Sequence, residues 1–271
     1  MNRSSLEVKT EFDACAAEYD AVLARGISIS GEDKNYFARG RVVWLARCLA
    51  RLQKHPRTAM DFGCGTGSAT PFLLNEFQPD LLLGVDASAQ SLAIARHRHG
   101  NAARFVPLAE YRPESLFDLI FCNGVFHHIL PNDRMAAVDM VYSSLRPGGF
   151  FAFWENNPWN PGTRYVMRRI PFDRNAITLS PPAARRLLRK RGFQILRTDF
   201  LFYFPRQLTW LRWLELDLAR LPLGPSIKSF ARSLNDRASN DHEASFILTL
   251  FWRADAHVRR QVGDRTAACD K

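Results

Sequence analysis

A glycine-rich turn directly follows a short apolar segment that has the length of a buried strand. The strand is predicted at residues 58–62, and the turn reads Asp61-Phe62-Gly63-Cys64-Gly65-Thr66-Gly67. Glycines let a ligand approach the backbone closely, and a helix that follows the turn presents free N–H groups. Asp86 ends the next predicted strand, about 20 residues beyond the turn, where a carboxylate can accept hydrogen bonds from ribose hydroxyls. The pattern predicts a nucleoside-binding site.

The spacing of the glycines separates two kinds of nucleoside ligand. A dinucleotide turn follows G-x-G-x-x-G, but Ser68 stands where its third glycine belongs. Asp61 opens the turn with a carboxylate, which would repel a pyrophosphate and would attract a sulfonium or ammonium group. The turn therefore favours an adenosyl-sulfonium ligand over a dinucleotide.

Two histidines and a carboxylate form a second candidate set. His127 and His128 follow one predicted strand, and Glu155 ends the next one. A histidine can act as a base near neutral pH, and a neighbouring carboxylate can orient it. We predict a catalytic role for these three residues, with simple packing in the pocket as the alternative. H-E-x-x-H and similar metal-ligand spacings are absent, so no metal site is predicted.

The strands and helices that must position these residues alternate along the chain. Apolar strands that alternate with helices form a parallel sheet covered on both faces, wound by right-handed crossovers. We therefore predict an α/β fold with an open, Rossmann-like, mostly parallel seven-stranded sheet and helices on both faces. The predicted strands lie at residues 58–62, 81–86, 103–106, 117–123, 150–155, 193–196 and 244–252.

Three segments outside this core are predicted to shape the site. Residues 1–57 form an N-terminal helical lid, and residues 58–271 form the core. Within the core, residues 156–180 form an acceptor-side loop, and residues 204–241 form a helical insertion before the last strand. Four residues of the loop are predicted to bind the acceptor: Asn157, Trp159, Tyr165 and Arg168. Apolar residues beyond one face of the insertion favour a pocket cap or a homodimer contact over membrane-surface contact.

Composition limits the class and the location of the protein. The chain has 271 residues, a formal net charge of +10 and five cysteines without C-x-x-C spacing. Scattered cysteines argue against a disulfide framework, and with no signal-peptide pattern we expect a cytoplasmic protein without stable membrane insertion. The basic charge keeps open a nucleic-acid partner, but no RNA- or DNA-binding motif accompanies it. We expect no nucleic-acid partner.

The sequence resembles the class I S-adenosylmethionine-dependent methyltransferases over about residues 10 to 200. The likeness is clearest at residues 58–67, 81–88, 117–129 and 145–155. It implies S-adenosyl-L-methionine as the cofactor and a small-molecule acceptor. The pattern Phe12-Asp13, Ala16 and Tyr19-Asp20 also resembles the lid opening of the small-molecule members. An amphipathic helix packed on the sheet is the alternative interpretation of that segment.

The resemblance implies particular roles for the motif residues. The glycines would line the methionine and ribose portion, Asp86 would hold the ribose hydroxyls, and Asn123 and Gly124 would flank the methionine. Glu110 is the only acid near the position that reads adenine in the family, one or two places out of register. The full predicted cofactor set is Tyr19, Asp61, Gly63, Cys64, Gly65, Gly67, Asp86, Ala87, Glu110, Asn123 and Gly124.

The leading functional prediction is methyl transfer to oxygen or nitrogen of a small molecule, such as a specialised metabolite, a sugar or a lipid precursor. Two rivals stay open. The first is a tRNA or rRNA methyltransferase, which the net charge of +10 alone motivates. A cofactor-binding regulatory protein without turnover would carry the same glycine turn.

Overall fold

The computed structural model describes residues 19–233. The helices are α1 (Tyr19–Ile27), α2 (Lys34–Arg51), α3 (Thr70–Phe77), α4 (Ala89–His99), α5 (Arg134–Ser144), α6 (Pro161–Arg169), α7 (Pro181–Arg191) and α8 (Glu215–Leu218). The strands are β1 (Thr58–Phe62), β2 (Leu81–Asp86), β3 (Arg104–Pro107), β4 (Phe117–Asn123), β5 (Leu145–Asn156), β6 (Phe193–Leu201) and β7 (Ser226–Ser233). Three short 3₁₀ segments lie at Ser28–Ser30, Pro171–Asp173 and Arg206–Leu214.

The seven strands form one open sheet in the order β3-β2-β1-β4-β5-β7-β6. Strands β1 to β5 pair in parallel, and β7 runs antiparallel to both β5 and β6. The strand order reverses between β1 and β4, and ligands bind at the carboxyl ends of the strands beside such a reversal. The predicted fold class is confirmed, and the glycine turn and Asn123 lie at this switch point.

The central strands are buried on both faces, which explains their unbroken apolar sequence. Leu119 and Phe121 of β4 belong to a core cluster that includes residues of α2, α3 and α4. Ile120 and Cys122 of the same strand belong to a second cluster, with residues of α5 and α7. Successive side chains of a strand point to opposite faces, so alternate residues enter different cores. Each fully buried large aliphatic or aromatic side chain contributes about 1.5–3 kcal/mol.

The N-terminal segment is held over the glycine turn by ion pairs. Asp20 of α1 lies 2.6 Å from Lys34 Nζ of α2 and 3.1 Å from Arg98 Nη1 of α4. Lys34 also donates to the hydroxyl of Ser68, at 3.4 Å, just beyond the turn. Asp33 caps α2 by accepting from the backbone N–H of Tyr36 at 2.7 Å. These contacts position α1 and α2 beside the cofactor end of the sheet.

The segment predicted as an acceptor-side loop at residues 156–180 contains a helix. Helix α6 begins after Asn160, whose side chain accepts from the backbone N–H of Thr163 at 2.8 Å. Pro161 occupies the first helical position, where its missing N–H costs nothing. An Asn-Pro pair that starts a helix is the local signal that explains this correction.

The insertion before the last strand is shorter and less regular than predicted. Strand β7 is Ser226–Ser233, so the insertion between β6 and β7 ends before Ser226 and not at residue 241. Its centre is the 3₁₀ segment Arg206–Leu214, in which Leu208 departs from helical dihedrals (φ −113°, ψ 32°). The sequence of β7 is mixed polar and carries the buried Lys228, so its pattern does not indicate a buried strand. The strand predicted at 244–252 lies outside the described residues.

Membrane-spanning character is absent from the part of the chain that the structure covers. None of the helices between residues 19 and 233 has both the length and the apolar composition needed to cross a bilayer.

Candidate active site

The glycine turn folds back against β2 and opens its backbone toward a cavity. The N–H groups of Gly63 and Cys64 both donate to the carbonyl of Val85, at 2.7 and 3.1 Å. Gly63 has φ +76°, and a Cβ there would lie 2.2 Å from Val125 Cγ2. Gly65 has φ +51°, and a Cβ added there would have no other atom within 4 Å. Gly63 is therefore required for the turn to pack, whereas Gly65 is placed to leave room for a ligand.

Asp86 lies beside the turn, as its sequence spacing predicts. Its Oδ2 accepts from the backbone N–H of Gly65 at 2.8 Å, and its Oδ1 accepts from that of Ser88 at 2.8 Å. Both Asp86 and Ala87 line a cavity of about 370 Å³ at the carboxyl ends of β1, β2 and β4. The carboxylate is thus fixed by two backbone bonds, with its residue at the wall of this cavity.

A second, larger cavity of about 570 Å³ adjoins the first. Its walls come from α1, α2, α6, the Pro171–Asp173 segment and the residues after β6. Six residues line both cavities: Gly63, Gly65, Thr66, Asn123, Gly124 and His128. The two spaces therefore meet at the glycine turn and at the end of β4.

The smaller cavity fits S-adenosylmethionine. Its wall combines apolar side chains such as Leu108 and Val125, which suit an adenine ring, with Asp86, the predicted ribose ligand. The hydroxyl of Thr66 is buried and has no hydrogen-bond partner within the described residues. A polar ligand at the turn would satisfy that hydroxyl, since buried polar groups are normally paired.

Asp61 lies buried at the end of β1 and lines the larger cavity. Burial, together with the nearby carboxylate of Asp86, raises the pKa of Asp61 to about 8. A bound sulfonium or ammonium group would favour its ionised form and would reverse part of this increase. The buried acid therefore suits a cationic ligand.

The predicted catalytic residues form one hydrogen-bonded cluster with a fourth residue, Asp173. His127 Nδ1 lies 2.6 Å from Glu155 Oε2, and Glu155 Oε1 accepts from the N–H of Phe126 at 2.7 Å. Asp173 Oδ1 lies 3.4 Å from His127 Nε2 and 3.3 Å from His128 Nε2. The two imidazole rings are 4.0 Å apart. Both histidines therefore face one carboxylate on the acceptor side.

The two histidines have opposite electrostatic environments. Burial lowers the pKa of an imidazole, but at His127 the charge of Glu155 and the bonds to Asp173 and Glu155 outweigh it, and the pKa rises to about 10. Burial and then the adjacent His127 lower the pKa of His128. Burial opposes ionisation of Asp173, yet the hydrogen bonds from His127 and His128 lower its pKa to about 2.

Several predicted residues lie away from both cavities. Glu110 is exposed and lines neither cavity, so the structure offers no support for its contact with adenine. Gly67 packs toward helix α4, where an added Cβ would lie 2.9 Å from His99 Cδ2. The side chain of Tyr19 lies outside the described residues. Cys64 lines the larger cavity.

Of the four residues predicted to bind the acceptor, Tyr165 alone lines the larger cavity. Asn157 is fully buried and donates to the carbonyls of Pro222 and Gly224, at 3.0 and 2.7 Å. Trp159 and Arg168 are exposed and line neither cavity. Tyr165 and Arg168 lie on helix α6, whose side chains point in different directions, whereas Asn157 and Trp159 precede the helix.

Asp173 is a site residue that the sequence analysis missed. It follows Pro171 and Phe172 in the segment predicted to face the acceptor, so its position was indicated but its partners were not. The described residues that could hold a metal ion together are His127, His128 and Asp173. No sequence spacing joins the third residue to the other two.

Comparisons with known proteins agree with this geometry. Residues 60–151 match the model of the methyltransferase domain family. A trans-aconitate 2-methyltransferase of Methylobacterium nodulans is 33% identical over 56% of this chain and 56% of its own length. An alpha N-terminal protein methyltransferase 1 of Arabidopsis thaliana is 30% identical over 65% of this chain and 64% of its own length. The chain thus matches less than two thirds of each relative.

Solved structures share the fold at low sequence identity. Magnesium protoporphyrin IX methyltransferase of Synechocystis, solved with S-adenosylhomocysteine, has a TM-score of 0.58 at 16% identity, covering 85% of this chain and 100% of that one. The plantazolicin methyltransferase, also solved with S-adenosylhomocysteine, has a TM-score of 0.55 at 15% identity, covering 83% and 100%.

Residues 60–151 are thus those of a methyltransferase domain, and these matches support the predicted resemblance to the class I S-adenosylmethionine-dependent methyltransferases. The cofactor of this family is the one that the glycine turn predicted, so that prediction is confirmed. The roles of individual residues stay predictions.

Proposed function

We propose that this protein transfers a methyl group from S-adenosylmethionine to an oxygen or nitrogen atom of a small molecule held in the larger cavity. The observation that carries the proposal is the shared wall of the two cavities. His128, Asn123 and Gly124 line both, so a methyl group held in the smaller cavity would face an acceptor in the larger one. Holding the two reactants in line supplies much of the rate gain in such a transfer.

The cofactor's orientation follows from the polar groups of the turn. We assign the ribose hydroxyls to Asp86 and the methionine portion to the Gly63–Gly67 turn, Asn123 and Gly124. Thr66, with its unpaired buried hydroxyl, is a further contact that the sequence analysis did not single out. When bound, the cofactor supplies an electrophilic methyl group, and these residues hold it in place.

The acceptor cavity favours an aromatic or largely apolar acceptor. Its aromatic wall residues are Tyr36, Phe37, Phe172, Phe202, Tyr203 and Phe204. Among its charged lining groups, Glu32 pairs with Arg212 at 2.7 Å and Lys34 pairs with Asp20 at 2.6 Å. A polycarboxylate such as trans-aconitate would meet three acids in this space, Glu32, Asp61 and Asp173. It would also meet the cation Arg41, which lies over the rings of Phe37 and Phe202. Like charges and unpaired buried ions are unfavourable, so we expect an acceptor of low charge.

His127, His128 and Glu155 are the proposed catalytic group, with Asp173 as an added member. The cluster lies where the acceptor's reacting atom would approach the methyl group, because His127, His128 and Asp173 all line the larger cavity. We propose that it activates a hydroxyl or an amine of the acceptor for attack on the methyl carbon. Glu155 holds His127 and does not line the cavity, so it is a positioning residue.

An acceptor search with methyl-labelled S-adenosylmethionine tests the function. The protein is incubated with the labelled donor and either source extract or a panel of phenols, apolar alcohols, amines and trans-aconitate. We expect label in the small-molecule fraction and no transfer to trans-aconitate. The Asp86→Ala variant serves as the control without bound cofactor.

Other outcomes of this search would overturn the proposal. Label in RNA, with affinity for bulk RNA that falls steeply as salt rises, would establish the nucleic-acid rival. Label in the protein fraction would make a protein the acceptor. Cofactor binding without transfer to any fraction of a broad extract would favour the regulatory alternative.

The compartment and the assembly state are also proposals. Cys48, Cys64 and Cys122 are free and buried, which supports a cytoplasmic protein that needs no disulfides. Trp210 and Trp213 of the insertion are 69% and 68% exposed. Exposed tryptophans are common at protein contacts, which supports the predicted homodimer contact or pocket cap.

A further inference from the structure

Three side chains that line the larger cavity, the proposed acceptor cavity, bring nitrogen and oxygen atoms close together. They are His127, His128 and Asp173, and the ligand atoms that they offer lie within 4.8 Å of one another. His127 and Asp173 are 3% and 8% exposed, and His128 is 12% exposed at its side chain. The cluster is thus shielded from bulk water but open on the cavity side.

The contact between His127 and Glu155 is short, whereas the contacts of Asp173 with the two histidines are long. The 2.6 Å separation of His127 Nδ1 and Glu155 Oε2 is that of a short, charge-assisted hydrogen bond. Asp173 Oδ1 lies 3.4 and 3.3 Å from the two Nε2 atoms, at the long end of the range for an N–H···O hydrogen bond. Two ligand atoms bound at about 2.0–2.1 Å in a tetrahedral arrangement lie roughly 3.4 Å apart. The two separations from Asp173 match the spacing of atoms that share an ion.

Glu155 adds an independent feature of metal sites. A metal-binding histidine usually donates its second ring nitrogen to a carboxylate, which fixes the ring and leaves the other nitrogen free to bind. His127 meets this pattern, because Nδ1 faces Glu155 while Nε2 faces Asp173. Glu155 is itself fixed by the N–H of Phe126.

The buried carboxylates of the cluster require positive charge nearby. Glu155 and Asp173 are buried within one cluster, and burying two carboxylates is costly unless positive charge accompanies them. His127 can supply this charge as an imidazolium, and a divalent ion held by the two histidines and Asp173 would supply it in place of that proton. Two nitrogens and one oxygen suit zinc or another late first-row ion, whereas magnesium and calcium prefer oxygen ligands.

We propose that His127 Nε2, His128 Nε2 and Asp173 bind a divalent transition-metal ion, with its open position facing the acceptor cavity. The metal site itself is independent of the proposed function. The role of the ion in methyl transfer rests on that function. Such an ion lowers the pKa of a hydroxyl held at its open position. The acceptor would then lose its proton to water, form the new bond to the methyl carbon, and release S-adenosylhomocysteine as the carbon–sulfur bond breaks.

Direct metal binding tests the site without any acceptor. The full chain is treated with a chelator, and zinc binding is measured by calorimetry and elemental analysis. Cobalt(II) serves as an absorbing probe of nitrogen and oxygen ligands. We expect one zinc per chain, and at least a tenfold weaker affinity in Asp173→Asn and in His128→Ala. The exposed His97 on α4 supplies the control His97→Ala, which should bind zinc as the unmodified chain does.

Each outcome has a defined meaning. Zinc binding of equal strength in Asp173→Asn, in His128→Ala and in the control would overturn the site, as would a chain that binds no zinc or cobalt. Circular dichroism and S-adenosylhomocysteine binding identify variants that fail to fold. If His128→Ala fails to fold, Asp173→Asn decides the result, because asparagine keeps the shape of the side chain. Failure of metal binding with intact methyl transfer would overturn this inference and leave the proposed function standing.

Discussion

Glu155 Oε2 lies 2.6 Å from His127 Nδ1, and Glu155 Oε1 binds the N–H of the preceding residue, Phe126. One carboxylate at the end of β5 thus holds both the backbone and the ring of the segment after β4. Because Glu155 is buried, these bonds are shielded from water and are stronger than at the surface. His127 is consequently fixed with its Nε2 toward the acceptor side.

Replacing Asp86 should strongly weaken cofactor binding. Asp86→Ala removes the acceptor at ribose position and the partner of the Gly65 and Ser88 N–H groups. We expect affinity for S-adenosylhomocysteine to fall by 100-fold or more, about 2.7 kcal/mol. Calorimetric titration measures this change. Asp80→Ala, at an exposed carboxylate before the same strand, is the matched control and should bind normally. Equal affinity in both variants would refute the assigned role.

Two glycines of the turn should respond differently to the same substitution. Gly63→Ala places a Cβ 2.2 Å from Val125 at a positive φ, so we expect it to lower the free energy of unfolding by about 2–4 kcal/mol. Gly65→Ala meets open space and should cost only about 1 kcal/mol of strain. It should nevertheless weaken cofactor binding, because its methyl group enters the cavity wall. Urea denaturation and calorimetry together separate the two effects, and the reverse order of stability would contradict the described turn.

Asp61 should make the cofactor-free protein less stable as the pH rises. Its folded pKa of about 8 exceeds the ordinary value of 3.8, so the folded state holds a proton that the unfolded state releases. The contribution of this group to stability therefore decreases from about pH 4 to about pH 8 and is constant above that range. Urea denaturation across this range should show a shallower decline in Asp61→Asn. A parallel decline in both proteins would exclude Asp61 as the cause.

The same acid should couple proton release to cofactor binding. A bound cation favours the ionised carboxylate, so binding at neutral pH should release protons from Asp61. Calorimetric enthalpies in buffers of different ionisation heat measure the number released. Asp61→Asn should release fewer protons and bind S-adenosylmethionine more weakly.

Asn157 should prove structural. Its amide joins the end of β5 to the carbonyls of Pro222 and Gly224, so Asn157→Ala leaves buried acceptors unpaired. We expect a loss of about 1–3 kcal/mol in the free energy of unfolding, with cofactor affinity unchanged. The half-exposed Trp159, two residues away, is the control, and Trp159→Ala should change stability by less than about 0.5 kcal/mol. An unchanged free energy of unfolding in Asn157→Ala would contradict this structural role and leave the predicted role in acceptor binding open.

The position of the glycine turn and of Asp86 could largely be predicted from the local sequence. The turn after β1 and Asp86 at the end of β2 each follow a buried strand, and parallel strands bring their carboxyl ends to one edge. Strand, glycine turn and helix lie within a short stretch of chain, so their spacing alone determines the geometry. The same local rule brought Asn123 and Gly124 to that edge.

The set of side chains around the larger cavity depends on tertiary contacts, which local sequence patterns do not predict. Asp173 meets His127 and His128 only because the segment after α6 folds back over the end of β4. Strand β7 lies between β5 and β6 despite its polar sequence, because pairing with both strands supplies its hydrogen bonds and burial. Sequence therefore determined the fold class and the cofactor turn, whereas long-range packing decided which side chains surround the acceptor.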